Sequence, residues 1–311
     1  MRIIFFGTSD FAVPGLEKLA GAHDIAAVVT KPDKPQGRRL TVAASPVKIA
    51  AERLGLNVIS IQDWPVDKAE EALEKLLADL FVVISYGQIL PSRILSVPKI
   101  YSIGLHASLL PKYRGPSPVN WAILNGEKET GTTVFKLNEK MDAGEMIAQR
   151  REAIQDSDNA ETLGKKLAVS GSELLLEAVG SIENGRAELK KQDDAAATFT
   201  PKLKKEDGAI DWEEDAGKVR NKIRAFYGWP GAFSRFNGRL IKIWKAEVAV
   251  TDQAISGGEG RILKIDNEDI VVRCGSGALK IKEVQPAGGR RMSAAEYARG
   301  HGISVGGLFV K

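Results

Sequence analysis

A chain of 311 residues, 43% hydrophobic and 27% charged, has the balance of a folded soluble protein and the length for two domains of ordinary size. No apolar run approaches ~20 residues, so no membrane-spanning helix is expected. The opening Met1-Arg2-Ile3-Ile4-Phe5-Phe6 runs into a strand-like segment with no small-residue cleavage site, so no secretory leader is expected and the cytoplasm is the expected location. The single cysteine, Cys274, cannot form an intramolecular disulfide, and three histidines without ligand-like spacing predict a metal-free protein.

Charge is uneven along the chain. Residues 1–200 carry 24 Lys and Arg against 26 Asp and Glu, whereas residues 216–311 carry 17 against 8. A basic C-terminal part on a near-neutral body fits a polyanionic partner such as nucleic acid, and it also fits a solvated lysine-rich surface.

In chain order, Ile3–Phe6, Ile25–Thr30, Asn57–Ile61, Leu80–Tyr86 and Tyr101–Leu105 read as buried strands. Gly15–Ala20, Pro46–Leu54 and Asp67–Ala78 lie between them with apolar residues at helical spacing. This alternation predicts a parallel sheet covered on both faces. Gly7-Thr8-Ser9-Asp10 can turn the chain and cap the next helix, but the later glycine is Gly15, so no GxGxxG dinucleotide fingerprint is present. Extended segments at Thr132–Leu137 and Glu145–Ile154 flank a turn at Met141-Asp142-Ala143-Gly144, and a helix is expected over about Ala160–Ile182. The polar stretch Gln192–Glu214 reads as a linker. Beyond it, a helix at Ala216–Ala225 precedes short runs at Ala232–Phe236, Leu240–Trp244, Gly260–Ile265, Ile270–Arg273 and Leu279–Glu283, the pattern of a small barrel. Cys274, Trp212, Trp229 and Trp244 are expected in the core, and His301 in a turn.

Ligands of open α/β sheets sit beyond the carboxyl ends of the strands, and His106 follows the strand Tyr101–Leu105 directly. Alone, a strand-end histidine is more often structural, and an Asp two residues before a Gly is ordinary turn chemistry. Together, Leu105-His106-Ala107-Ser108-Leu109-Leu110-Pro111-Lys112-Tyr113-Arg114-Gly115 and Met141-Asp142-Ala143-Gly144-Glu145-Met146 resemble the signature of the folate-dependent formyltransferases. Ser85-Tyr86-Gly87-Gln88-Ile89-Leu90-Pro91 resembles the loop lining that family's pterin pocket, and Lys31–Arg38 with Ser45-Pro46-Val47-Lys48 resembles the basic insertion of its tRNA branch. Ile210-Asp211-Trp212, Ile223-Arg224-Ala225-Phe226, Trp229-Pro230 and Gln285-Pro286-Ala287-Gly288 resemble that branch's C-terminal domain.

The resemblance implies a Rossmann-like α/β sheet domain over residues 1–190, a linker over 191–206, and an OB-like C-terminal β-barrel over 207–311 that binds tRNA. It implies a monomeric enzyme that moves the formyl group of 10-formyltetrahydrofolate to the amino group of methionyl initiator tRNA for translation initiation. His106 would meet charge on the formyl oxygen, and Asp142 would orient it and relay a proton. Ser108, Leu109, Leu110 and Pro111, with Gln88, Ile89 and Leu90, would hold the folate. Lys34, Arg38 and Arg39 would touch the tRNA acceptor end, and Arg290 and Arg291, with Arg235 and Lys242, its phosphates. The family carries an asparagine two residues before the histidine, on the same strand face; here that position is Gly104, which presents no carboxamide. Loss of one oxyanion donor typically costs ~10²–10³-fold in rate. Two other readings share these residues: an amino-sugar N-formyltransferase, and a catalytically weakened folate- or tRNA-binding protein.

Overall fold

The computed structural model describes residues 1–36, 41–250 and 257–311. They form two compact units, the first built from Met1–Pro118, Glu129–Ala153 and Gly164–Thr200, the second from the remainder. In the first, strands β1 (Arg2–Gly7), β2 (Asp24–Val29), β5 (Val58–Ile59), β6 (Leu80–Ile84), β7 (Tyr101–His106), β8 (Glu129–Lys136) and β9 (Met146–Ala153) make one sheet in the order β5-β2-β1-β6-β7-β8-β9. The pairs from β5 to β7 are parallel, while β7–β8 and β8–β9 are antiparallel. Strands β3 (Lys34–Gln36) and β4 (Thr41–Ala43) form a separate two-stranded ribbon.

β1 and β6 are apolar on both faces, as a doubly covered parallel sheet requires. One face packs Ile3, Phe5, Val82 and Leu105 with residues of helices α1 (Val13–Ala20), α2 (Pro46–Arg53) and α6 (Ala160–Glu183). The other packs Ile4, Phe6, Phe81 and Tyr86 with residues of α3 (Val66–Glu74) and α4 (Ser92–Leu95). Local chemistry fixes the helix starts. Ser45 accepts the Lys48 N–H at 3.0 Å at the head of α2, and Pro46 occupies the first turn, where its missing N–H costs nothing. Ser9, the expected cap for the first helix, makes no side-chain cap; a single 3₁₀ turn at Asp10–Ala12 intervenes instead, and Thr8 Oγ donates to the Tyr86 carbonyl.

The stretch expected as a linker divides. Residues up to Thr200 are part of the first unit, because Arg114 and Phe199 form a β-bridge and the Arg114 N–H donates to the Thr198 carbonyl at 2.8 Å. From Pro201 on, the chain is part of the second unit, which also takes in residues 119–128, with most of helix α5 (Pro118–Leu124), and 154–163.

That unit's sheet runs β12-β13-β14-β11-β10-β16, all antiparallel: β10 (Phe233–Phe236), β11 (Arg239–Val248), β12 (Ile262–Ile265), β13 (Ile270–Arg273), β14 (Ala278–Pro286) and β16 (Phe309–Val310), with β15 (Met292–Ser293) beside β14. It curls into a half-barrel, and an antiparallel bridge between Arg261 and Leu308 brings its two edges together. Its core holds Ile210, Trp212, Ile241, Val272, Leu279 and Phe309, with residues of α7 (Ala216–Ala225) and α8 (Ala294–Gly300) packed in. Trp212 is the core aromatic that its composition predicts, and its indole N–H donates to Ser234 Oγ at 2.9 Å. Trp229 is 57% exposed, because it lies in the turn Gly228–Gly231 where both glycines have positive φ.

Cys274 is fully buried, and burial pushes its thiol up to about 12. The thiolate is the reactive form. The native protein should therefore resist a thiol reagent at about pH 8 and react once denatured; rapid labelling of the native chain would contradict this burial.

Candidate active site

The strand order reverses between β1 and β6, so the crevice beyond their carboxyl ends is where an open α/β sheet places a ligand. The loops after β1, β2 and β6 meet there, since Thr8 Oγ donates to the Tyr86 carbonyl at 3.2 Å and Lys31 Nζ, just after β2, to the Gly87 carbonyl at 2.9 Å. Tyr86 is an anchor with 1% exposure and packs edge-on to Phe6. Ser85 and Gly87 on either side take positive φ, which turns Gln88 and Ile89 out to solvent while Leu90 packs inward. Gln88 and Ile89 thus remain accessible to a ligand.

His106 ends β7 and is brought to Asp142, 36 residues later in sequence, with Nδ1 3.6 Å from Asp142 Oδ2. Its Nε2 lies 2.8 Å from the Tyr113 carbonyl. A carbonyl only accepts, so the ring proton is on Nε2, and Nδ1 is the nitrogen that faces the carboxylate. At 3.6 Å that approach is longer than a hydrogen bond, and it becomes an ion pair only when the ring is protonated on both nitrogens. Asp142 Oδ2 also accepts the Gly115 N–H at 2.7 Å. The signature loop therefore holds both members of the pair, one through Tyr113 and one through Gly115. Asp142 itself has φ 49°, a left-handed turn conformation that aspartate tolerates better than most non-glycine residues. Two residues on, Gly144 lies so close to β8 that a Cβ would sit 1.6 Å from the Lys136 carbonyl oxygen, so only glycine fits.

The residues proposed from sequence to hold folate fall into two groups. Ser108 is fully buried and its hydroxyl donates to the Lys112 carbonyl at 2.6 Å. The Leu110 N–H donates to Thr133 Oγ1, which donates to the Ser108 carbonyl, and Gln149 Nε2 donates to the Leu110 carbonyl. These groups satisfy one another and give the loop its shape, while Leu109 and Pro111 are half-buried at its surface. Sequence reading missed Thr133, Gln149, Arg114 and Gln192. The first two are polar residues on strands that point to the loop rather than to solvent, which periodicity alone does not reveal.

Gly104 pairs with Phe135 across the β7–β8 ladder, so the two share a face. A Cβ on Gly104 would meet Phe135 Cε1 at 2.8 Å and Leu137 Cδ2 at 3.0 Å. Phe135 is 2% exposed, and its ring covers the glycine and fills the space where a side chain would stand. The position is thus packed, not vacant. Gly104→Asn alone should destabilise the protein by about 1–3 kcal/mol, the usual cost of overpacking. In a Phe135→Ala background the same change should cost less. Denaturant unfolding of the four chains measures the coupling, and equal costs in both backgrounds would show that the ring does not oppose the side chain.

Of the basic residues singled out, Arg38 and Arg39 lie outside the described residues. Lys34 lies on the β3–β4 ribbon, with its backbone paired to Ala43. Lys48 ties to Asp33 at 2.7 Å, and that hydrogen bond holds its ammonium pKa above the usual value. In the second unit, Arg291 lies flat on Trp244, 3.5 Å from the ring centroid, and donates to the Tyr227 hydroxyl at 3.0 Å. Lys242 Nζ stands 5.5 Å from the same indole. Arg290 is exposed and paired with Glu296 at 2.6 Å. Among the described residues no group of acidic, histidine or cysteine side chains could hold a metal ion, and no helix is long and apolar enough to cross a membrane.

Residues 1–179 match the family profile "Formyl transferase", and residues 202–302 match "Formyl transferase, C-terminal domain". The chain is 44% identical to a methionyl-tRNA formyltransferase of Caldanaerobacter subterraneus subsp. tengcongensis, covering 98% of this chain and 99% of the relative. It is 39% identical to a methionyl-tRNA formyltransferase of Geotalea uraniireducens, covering 100% and 98%. Among solved structures, the N-formyltransferase of Helicobacter canadensis in complex with folinic acid and dTDP-3-aminofucose shares the fold, with a TM-score of 0.69, 22% identity and coverage of 91% of this chain and 99% of that one. The chain belongs to the formyl transferase family, in its methionyl-tRNA formyltransferase branch.

Proposed function

We propose that His106 and Asp142 carry the proton traffic of formyl transfer from 10-formyltetrahydrofolate to the amino group of methionyl initiator tRNA. The observation that supports this most directly is the 3.6 Å approach of His106 Nδ1 to Asp142 Oδ2, with Nε2 occupied by Tyr113. The amine attacks the formyl carbon and becomes cationic, while negative charge builds on the formyl oxygen. Asp142 stabilises the cation and accepts its proton; the proton passes to the folate nitrogen as the C–N bond breaks. His106, when it takes a proton on Nδ1, becomes a cation that Asp142 stabilises and whose positive charge can offset the oxyanion. Gln88 and Ile89, exposed at the crevice, would contact the folate together with the surface of Leu109 and Pro111, and the buried Ser108, Leu110 and Leu90 would shape its seat.

Residues 1–190 would form the catalytic part and 207–311 the tRNA-binding part. The flat guanidinium of Arg291, backed by Trp244, and the neighbouring Lys242 would take tRNA phosphates, with Arg290 released from Glu296 on binding. Lys34, Arg38 and Arg39 would reach the acceptor end. The chain would act as a monomer in the cytoplasm, with no metal.

Single-turnover reaction with charged initiator tRNA and 10-formyltetrahydrofolate tests the reading. Formyl-methionyl-tRNA is the expected product, and Asp142→Asn should slow its formation by roughly 10²–10⁴-fold. Formylation of a nucleotide amino sugar instead, or binding with no product, would overturn it. In the Phe135→Ala background, Gly104→Asn should raise the rate by at least about tenfold, as an added oxyanion donor does; Gly104→Asn with Phe135 in place should not. Affinity for tRNA should fall steeply with added salt while folate affinity barely changes, and Arg291→Ala should make the salt slope shallower by about one phosphate contact. A salt-independent tRNA affinity would remove the phosphate assignment.

A further inference from the structure

We propose that Gln192 is a positioning residue for formyl transfer, acting through Asp142; this rests on the assignment of proton transfer to Asp142. Gln192 follows the helix α6 by nine residues, in a stretch whose composition reads as linker, yet its side chain reaches the turn that carries Asp142. Its Nε2 donates to the Asp142 carbonyl and to the Gly144 carbonyl, both at 2.8 Å. Its Oε1 accepts from Arg114 Nε at 3.0 Å and Nη2 at 2.8 Å. Both amide protons and the carbonyl oxygen are engaged. The orientation is also unambiguous, since a guanidinium only donates and a backbone carbonyl only accepts.

The geometry has a direct consequence for the carboxylate. A two-pronged clamp across the Asp142 and Gly144 carbonyls holds the turn in the conformation that gives Asp142 its φ of 49°. Gly144, pressed on β8, fixes the far side of the same turn. The clamp's other end is Arg114, 4% exposed, whose own N–H and carbonyl pair with Thr198 and Thr200. Arg114 precedes Gly115, whose N–H binds the Asp142 carboxylate. One carboxamide therefore links the backbone that bears the acid to the loop that bears its hydrogen-bond donor. No other amino acid makes the same four contacts: glutamate lacks the two donors, and asparagine is one methylene too short to span the same gap. Displacing reacting groups by about 1 Å costs on the order of 10²-fold in rate, so loss of the clamp should be read in kcat.

A double-mutant cycle tests this against a merely structural role. Gln192→Ala should lower kcat at least about tenfold while leaving KM for folate and for charged tRNA within about twofold. Gln192→Glu keeps the size and the pairing to Arg114 but replaces the amide nitrogen, with its two donors, by one oxygen facing two carbonyls, so it should lose at least as much activity and guards against poor folding of the alanine variant. Combined with Asp142→Asn, Gln192→Ala should add less than about twofold to the loss, because its effect is already spent. Full kcat in Gln192→Ala or Gln192→Glu would overturn the proposal, as would losses that multiply in the combined variant. If Asp142→Asn alone leaves the rate unchanged, the assignment of Asp142 itself fails, which is a distinguishable result.

Discussion

The hydrogen bond from the Gly115 N–H to the Asp142 carboxylate joins the two segments on which the rest of the active site depends. One segment leaves the carboxyl end of β7 and carries His106; the other is the turn between β8 and β9. Because β7 and β8 are antiparallel neighbours, the end of one and the start of the turn after the other do not coincide: His106 faces Thr133, and the chain must run on past Lys136 before Asp142 can return. The return is imposed by the close contact of Gly144 with the Lys136 carbonyl and completed by the Gly115 N–H. A carboxylate fixed in this way spends one oxygen on orientation; in the proposed role it would be positioned before substrate arrives, as electrostatic catalysis requires.

The second unit solves a different problem. On the proposed reading, its positive charge would have to remain available to tRNA without unpaired cations disrupting its own packing. Arg291 is supported by an aromatic face and a phenol hydroxyl, with the Glu283 carboxylate 3.9 Å away at a half-exposed edge, so its charge is oriented and only loosely paired. Arg290 makes a closer, exposed ion pair with Glu296, of a kind that contributes little to stability.

The strand–helix alternation made the first unit readable from residue types, since β1, β2 and β6 are apolar on both faces and β7 carries Ile103 and Leu105 on one. The short pieces were not: the β3–β4 ribbon, α4 and β16 span two to four residues each and have no periodicity to detect. His106 and Asp142 could be picked out because the signature blocks surround them, but their 3.6 Å approach is a product of the fold. Gln192 was invisible for a clearer reason. Its neighbours Lys190, Lys191, Asp193 and Asp194 are those of a solvated linker, and what ties the segment down is backbone pairing to Arg114 and Met146, which depends on no side-chain pattern. Trp229 is the converse, an aromatic in a turn that composition would place in a core.

The ring of Phe135 over Gly104 bears on how this site could have changed over time, and on how it would look in a mutational survey. A library of single substitutions at Gly104 would report an intolerant position, when the intolerance belongs to the neighbour across the strand. A larger residue at 104 would be accommodated more cheaply once position 135 is smaller, although that change alone leaves a cavity. Glycine and phenylalanine at these two positions are therefore a packed pair whose substitutions should be read together.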